Sequence, residues 1–304
     1  MPSQDIENVK RRFQKLVQTD QRQAVRSLNH EALKFTSLFA VREEIYDAGL
    51  VSNMNERNQW ALKLTEEFLE EGQDLEIPVL SSDLSVSESL LTIHSTLLWM
   101  VKTGGSYALD RSYIRVIDRT CIFVLNVFSD HSALSDVIDI IFYRHRKGLY
   151  YHHLCWSVFE LGNPDCLLHF GKRLLSSEED DQSLALHLLS CVPKLRELSR
   201  PEERYVCFID WFEENRSFLV YNGESFDMMK SPVPFVPSLE AKYFGHETEG
   251  FAERHQEFKK LDPHKKTLLA DRSYKLRRTD RNKWKTWLTL SIDEQLMRVG
   301  EWLP

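Results

Sequence analysis

Turn-forming residues are scarce in this chain. Its 304 residues include only 11 glycines and 10 prolines, about 7% together against roughly 12% in average usage. All-β folds consume many turns, so the scarcity excludes that class and favours helices. Long apolar runs are also missing. The longest, Leu97-Leu98-Trp99-Met100-Val101 and Cys121-Ile122-Phe123-Val124-Leu125, fall far short of the roughly 20 residues a membrane span requires. The stretch from Met1 to Glu7 lacks the apolar segment of a secretory signal. The five cysteines, Cys121, Cys155, Cys166, Cys191 and Cys207, are odd in number and include no Cys-x-x-Cys. Each sits in an apolar helical pattern, which reads as small buried side chains in a reducing compartment, the cytoplasm. A disulfide framework is not expected in so long a chain.

Catalytic templates are missing too. The sequence contains no Gly-x-x-x-x-Gly-Lys, Gly-x-Gly-x-x-Gly, Gly-x-Ser-x-Gly or His-Glu-x-x-His. Lys102-Thr103-Gly104 is explained by a helix end. Histidines and cysteines do gather between His145 and His187, with His152, His153, Cys155, Cys166 and His169 among them. His152 and Cys155 are spaced to share a helix face, and read as a surface histidine and a core cysteine. Cys166 falls in a predicted first turn, where a helix dipole can stabilise a thiolate; the competing reading is a buried small residue. The acids Glu178-Glu179-Asp180-Asp181 precede a predicted helix, where they suit its positive end. No catalytic residue, metal ligand or cofactor site is assigned from sequence.

What the chain does contain is helical periodicity. Ile6, Val9, Phe13, Leu16 and Val17 recur at helical spacing, as do Leu28, Ala32, Phe35, Leu38 and Phe39, and then Trp60, Leu64, Phe68 and Leu69 up to Gly72. Residues 1–72 therefore read as two or three helices. Residues 73–83 form a linker broken by Pro78. Ser85-Val86-Ser87-Glu88 has capping-box spacing, and the helix it opens should stop at Gly104-Gly105. From Arg111 to Glu214 the pattern becomes regular, with predicted helix starts near 112, 132, 149, 164, 181 and 201. Asn163-Pro164 supplies an N-cap with proline at the first helical position. Taken two at a time, these helices repeat every 32 to 37 residues or so, the dimension of an α-solenoid unit.

The segment from Asn163 to Val192 resembles a HEAT-type repeat: a helix opening at Asn163-Pro164-Asp165, a leucine-rich end, an acidic turn, then a Leu184-Ala185-Leu186 helix. The resemblance extends mainly over residues 111–214, about a third of the chain. It implies a mostly all-α fold of stacked helical hairpins, and an extended surface for another protein. An irregular helical bundle is the alternative. The domain reading is N-terminal helices (1–72), a helical-repeat body (85–216), an extended strap or small hairpin (217–245) and basic C-terminal helices (246–304), all conceivable as one compact unit.

Around residue 217 the pattern breaks. Ser217-Phe218-Leu219-Val220-Tyr221 is β-prone, Asn222-Gly223 is a tight-turn dipeptide, and the prolines of Ser231-Pro232-Val233-Pro234-Phe235-Val236-Pro237 favour extended chain. This reads as a strap on the helical body or a partner-docking loop. Helices should resume near Ser238, break at Asp262-Pro263, and end with one opened by the capping box Ser291-Ile292-Asp293-Glu294.

Charge is uneven. The net −7 divides into −13 over residues 1–253, +8 over 254–285 and −2 over 286–304. The basic segment offers Lys259, Lys260, Lys265, Lys266, Arg272, Lys275, Arg277, Arg278, Arg281, Lys283 and Lys285, together with Arg254, as a candidate interaction surface. Three readings compete: a solvated or self-paired face, a surface for a protein, and a surface for nucleic acid, with Tyr274, Trp284 and Trp287 as aromatics that could stack on bases. The spacing of Trp284, Trp287 and Leu288 suits a core anchor better. A non-enzymatic scaffold or adaptor acting through protein–protein contact is the leading expectation. The alternatives are a helical nucleic-acid binder using 254–285, and an enzyme whose site is assembled from distant residues.

Overall fold

The computed structural model describes residues 3–70, 85–105, 107, 109–224, 232–245 and 252–300. The expected linker at 73–83, Gly72, and the side chains of Ser85 to Glu88 lie outside the described residues. Among the described residues there are seventeen α-helices and one two-stranded sheet, so the chain is predominantly α-helical. It divides into two compact units. The first comprises Met1–Leu161 and Ser176–Leu184, the second Gly162–Leu175 and Ala185–Pro304.

The first unit opens with α1 (Ser3–Thr19), α2 (Gln21–Leu28), α3 (Phe35–Ala40), α4 (Arg42–Asp47) and α5 (Glu56–Leu69). That is five helices where periodicity suggested two or three. Asp20 explains one division: its carboxylate accepts the Gln23 N–H at 3.0 Å and N-caps α2. Another lies inside the apolar run from Leu28 to Phe39. Leu28 ends α2 and Phe35 begins α3, and both are buried, so the turn at 29–34 keeps the apolar spacing while leaving the helix. Polar bonds pin that turn. The Asn58 amide, fully buried, donates to the Leu28 carbonyl at 2.5 Å, Asn29 donates to the Asn53 carbonyl at 2.9 Å, and the Phe35 N–H donates to Thr103 Oγ at 3.0 Å.

Five more helices follow: α6 (Ser85–Gly104), α7 (Arg111–Ile122), α8 (Leu134–Arg146), α9 (His152–Glu160) and α10 (Cys166–Lys172), the last in the second unit. Helix α6 stops at the expected Gly104-Gly105 pair. The Tyr113 hydroxyl donates to the Gly104 carbonyl at 2.8 Å, and a Cβ on Gly105 would lie 2.4 Å from Ile140, so both glycines permit close helix approach. Tyr113 also stacks on Phe35 and meets Phe39 edge-on, at 5.8 and 4.9 Å between ring centroids. Helix α7 runs into a single π-helical turn, Phe123–Val127, where the Phe128 N–H reaches back to the Phe123 carbonyl at 3.0 Å. The division between the units falls inside α11 (Glu179–Leu188), and α12 (Pro201–Asn215) belongs to the second unit. The observed starts of α7 to α12 lie within three residues of the sequence expectation. At Asn163, however, the side chain accepts the Asp165 N–H at 3.0 Å and closes a turn before α10, so it is not the helix cap.

In the second unit, α10 packs on α12. Two short strands, β1 (Leu219–Tyr221) and β2 (Phe235–Pro237), pair antiparallel with Tyr221 opposite Phe235. Asn222-Gly223 does not close a two-residue hairpin. The Asn222 side chain accepts the Glu224 N–H at 2.9 Å and Gly223 takes a positive φ of 80°, turning the chain into a longer connection. The unit is completed by α13 (Leu239–Phe244), α14 (Ala252–Lys260), α15 (Pro263–Thr279), α16 (Arg281–Thr289) and α17 (Ile292–Gly300). Their core gathers Tyr243, Phe244, Phe258, Leu269, Trp284 and Trp287. The capping box before α17 is reciprocal: the Glu294 N–H donates to Ser291 Oγ at 3.3 Å, and the Ser291 N–H donates to the Glu294 carboxylate at 2.8 Å. No described helix is long and apolar enough to cross a membrane.

The α10–α12 contact gives a test of the packing. Gly171 lies on α10 with the buried Phe208 ring of α12 against its Cα, and a methyl there would sit 2.1 Å from the ring. Gly171→Ala should lower stability by about 1–3 kcal/mol through overpacking, measured by denaturant unfolding, and Phe208→Leu in the same chain should restore part of the loss.

Candidate interaction surface

The basic segment forms α14, α15 and α16. Its four acids are Glu257, Asp262, Asp271 and Asp280, and three of them have structural work. Asp262 caps α15 by accepting the Lys265 N–H at 3.0 Å, and Asp280 caps α16 by accepting the Lys283 and Asn282 N–H groups at 3.0 and 3.1 Å. These backbone bonds hold both carboxyls below their ordinary pKa. The side chains of Lys265 and Lys283 also approach the carboxylates they follow, at 3.4 and 3.5 Å. Asp271 is taken by Lys242, a lysine only 2% exposed on α13, whose ammonium donates to Asp271 at 2.6 Å and to Asn215 at 2.8 Å.

The remaining cations divide into two groups. Arg277 is drawn inward, its guanidinium over the rings of Phe218, Tyr274 and Trp284 at 5.5 to 5.8 Å. Arg254 donates to the carbonyls of Leu288 and Leu290 at the end of α16. These two serve the fold. Lys259 approaches Glu240 at 3.9 Å. Arg278 bonds the Tyr274 hydroxyl at 3.4 Å, and Arg272 and Arg281 also have partners. Among the described residues, Lys260, Lys266, Lys275, Arg278 and Lys285 have no carboxylate within ion-pair distance. Lys266 is half-buried and the other four are exposed. Lys275 and Arg278, three apart, share one face of α15, and Lys285 stands on α16.

Trp284 and Trp287 are unavailable for stacking on bases, and Tyr274 is half-buried. Trp284 and Trp287 are 1% and 6% exposed. The Trp284 indole N–H donates to Ser273 Oγ at 2.7 Å, and that hydroxyl donates to the Tyr243 carbonyl at 2.5 Å. Tyr274 is enclosed by Phe218, Lys242, Arg277 and Arg278.

The histidine–cysteine region does not form a reactive centre. His145, Tyr150, Tyr151, His152 and His153 meet ring to ring, with centroids 4.9 to 5.4 Å apart. No group of three His, Cys, Asp or Glu among the described residues can hold a metal ion. Cys155 is buried in the core, as the helical spacing suggested. Cys166 does occupy the first turn of α10, yet its thiol is not activated. Burial pushes it well above the ordinary cysteine value and outweighs the nearby backbone N–H groups. Burial likewise raises the Cys121 and Cys155 thiols, and raises Cys191 to about 12.

Comparison with models of known protein families, with curated proteins and with solved structures finds no match to this chain. The surface therefore stands on its own geometry. Two residues central to it were missed in the sequence. Lys242 lies outside the basic segment and shows no periodicity that marks it as buried, and Gly245 looks like an ordinary helix stop.

Gly245 gives the first of two tests here. It follows α13 with φ of 67° and ψ of −142°, and an added Cβ would lie 2.0 Å from the Arg277 guanidinium. Gly245→Ala should cost on the order of 1–3 kcal/mol from backbone strain, seen as a lower unfolding midpoint. The second concerns the thiols. At about pH 8, a thiol reagent should modify the partly exposed Cys207, while Cys121, Cys155 and Cys166 react only after unfolding. Because the buried thiols stay protonated where unfolded thiols ionise, their contribution to stability should fall as pH rises above about 9.

Proposed function

We propose that this chain is a non-enzymatic interaction protein, a scaffold or adaptor, whose cationic α15–α16 surface docks on the acidic face of another protein. The observation that carries the reading is the distribution of charge partners. Three of the four acids in the basic segment cap helices or neutralise Lys242, and exposed cations are left over. An isolated exposed ion pair contributes less than about 1 kcal/mol. Several cations on one face instead steer an acidic partner and set its orientation. The regular helices between 111 and 214, in the HEAT-like reading, would offer protein-binding surface of their own. A cytoplasmic setting fits the free, buried thiols.

A nucleic-acid partner is supported by the same cations but not by the aromatics, since Trp284 and Trp287 are buried. The reading that survives on that side is contact with a phosphate backbone.

The test replaces four exposed cations together, Lys260→Glu, Lys275→Glu, Arg278→Glu and Lys285→Glu. Partners of the intact chain are identified by crosslinking and mass spectrometry, then purified. The expected result is a protein crosslinked through α15–α16 whose affinity falls at least about tenfold in the variant, a change of about 1.4 kcal/mol. A partner retained at full affinity refutes the surface. A duplex mobility shift abolished by the same changes, with no protein partner affected, moves the assignment to nucleic acid.

A further inference from the structure

The turn between α2 and α3 carries a second, separate feature in the first unit. A groove of about 650 Å³ opens there, lined by Gln23, Arg26 and Ser27 of α2, by His30, Ala32, Leu33 and Lys34 of the turn, and by Ser37 of α3. No Asp or Glu lines it. Residues 1–40 hold seven Lys and Arg against four Asp and Glu, so the groove sits in a locally basic stretch of a chain whose net charge is −7. Arg26 and Lys34 have no ion-pair partner among the described residues. Among the described residues, Lys34 has a single ring contact, with Tyr107 at 5.9 Å.

The hydrogen-bonding pattern leaves several donors among the residues that line the groove. The Ala32 N–H donates to His30 Nδ1 at 3.1 Å, which places the proton of a neutral ring on Nε2, as a donor. The Ser27 hydroxyl is occupied with the Ala24 carbonyl at 2.7 Å. The Arg26 guanidinium, Lys34 ammonium, His30 Nε2–H, Gln23 amide and Ser37 hydroxyl remain to donate. Arginine's fork matches the paired oxygens of phosphate.

The scaffold of the groove is fixed. Asn29, Asn58 and Thr103 tie the two ends of the turn, at Leu28–Asn29 and at Phe35, to α5, α6 and the segment between α4 and α5. Leu28 and Phe35 anchor it in the core. The backbone that carries the donors is thus held at both ends, while the exposed Arg26 and Lys34 side chains become ordered on binding.

We infer that this groove binds a small phosphate monoester, its phosphoryl oxygens held by Arg26, Lys34 and His30 and its organic part resting on Ala32 and Leu33. The size suits such a ligand, since small-molecule sites run from roughly 300 to 1,000 Å³.

The full-length chain should bind phenyl phosphate saturably, one per chain, and more tightly than inorganic phosphate, as followed by calorimetry at low ionic strength. Arg26→Ala and Lys34→Ala should each weaken binding roughly tenfold, in line with hydrogen bonds to charged groups. Lys15→Ala, an exposed cation of α1, should leave binding unchanged. Both groove cations are exposed, so the variants should melt with the wild type. As an independent measure, phenyl phosphate should raise the wild-type melting temperature above that in chloride of equal ionic strength, because a ligand of the native state stabilises it. Absence of saturable binding, absence of this melting shift, or equal weakening by Lys15→Ala overturns the inference.

Discussion

Two polar bonds from α13 to α15 set the geometry of the second unit. Lys242 gives its ammonium to Asp271, and Ser273 gives its hydroxyl to the carbonyl of the next residue, Tyr243. A buried ammonium is tolerated only when paired, and here Asp271 and Asn215 share it. With α15 held at that angle, Leu269, Ala270 and Ser273 point into the core, while Lys275 and Arg278 point outward. The carboxylate of α15 that neutralises the buried ammonium is Asp271, itself 39% exposed, and among the described residues Lys275 and Arg278 have none of their own.

Arg277 shows how finely this division is drawn. It neighbours Arg278 in sequence and carries the same side chain, yet it lies across three aromatic rings and against Gly245. Adjacent helical positions are rotated by about 100°, which is enough to place one guanidinium inside and its neighbour in solvent. Counting Lys and Arg along the chain treats the two alike.

Helices with a long, one-sided apolar pattern were legible in the sequence. Helices α7 to α12 and α17 begin close to where spacing and capping residues place them, because a buried stripe and a cap are both local properties. The turn at 29–34 was not legible. Leu28 and Phe35 are seven residues apart, two helical turns, so their burial mimics a continuous helix. The groups that pull the chain out of the helix are Asn29, Asn58 and Thr103, and two of those are distant in sequence. The same holds for the candidate sites. The basic segment was visible as composition, but its split into structural and free cations depended on Lys242 and Glu240, which precede it. The groove at α2–α3 carries no motif, since its cations are ordinary members of a mixed-charge stretch.

The division of the chain into units bears on the order in which it can be completed during synthesis. Neither unit is a continuous stretch: 162–175 belongs to the second, and 176–184 returns to the first. The first unit therefore lacks its last segment until residue 184 has been made. That segment brings Asp181, the buried partner of Arg146 at 2.5 Å, and Ser176, which bonds the same carboxylate at 3.1 Å. By then α10 is already present, with most of its own unit still to come. A nascent chain at that stage carries the whole first unit and the buried face of α10 waiting for α12, one helix of the second unit having been made before the last segment of the first.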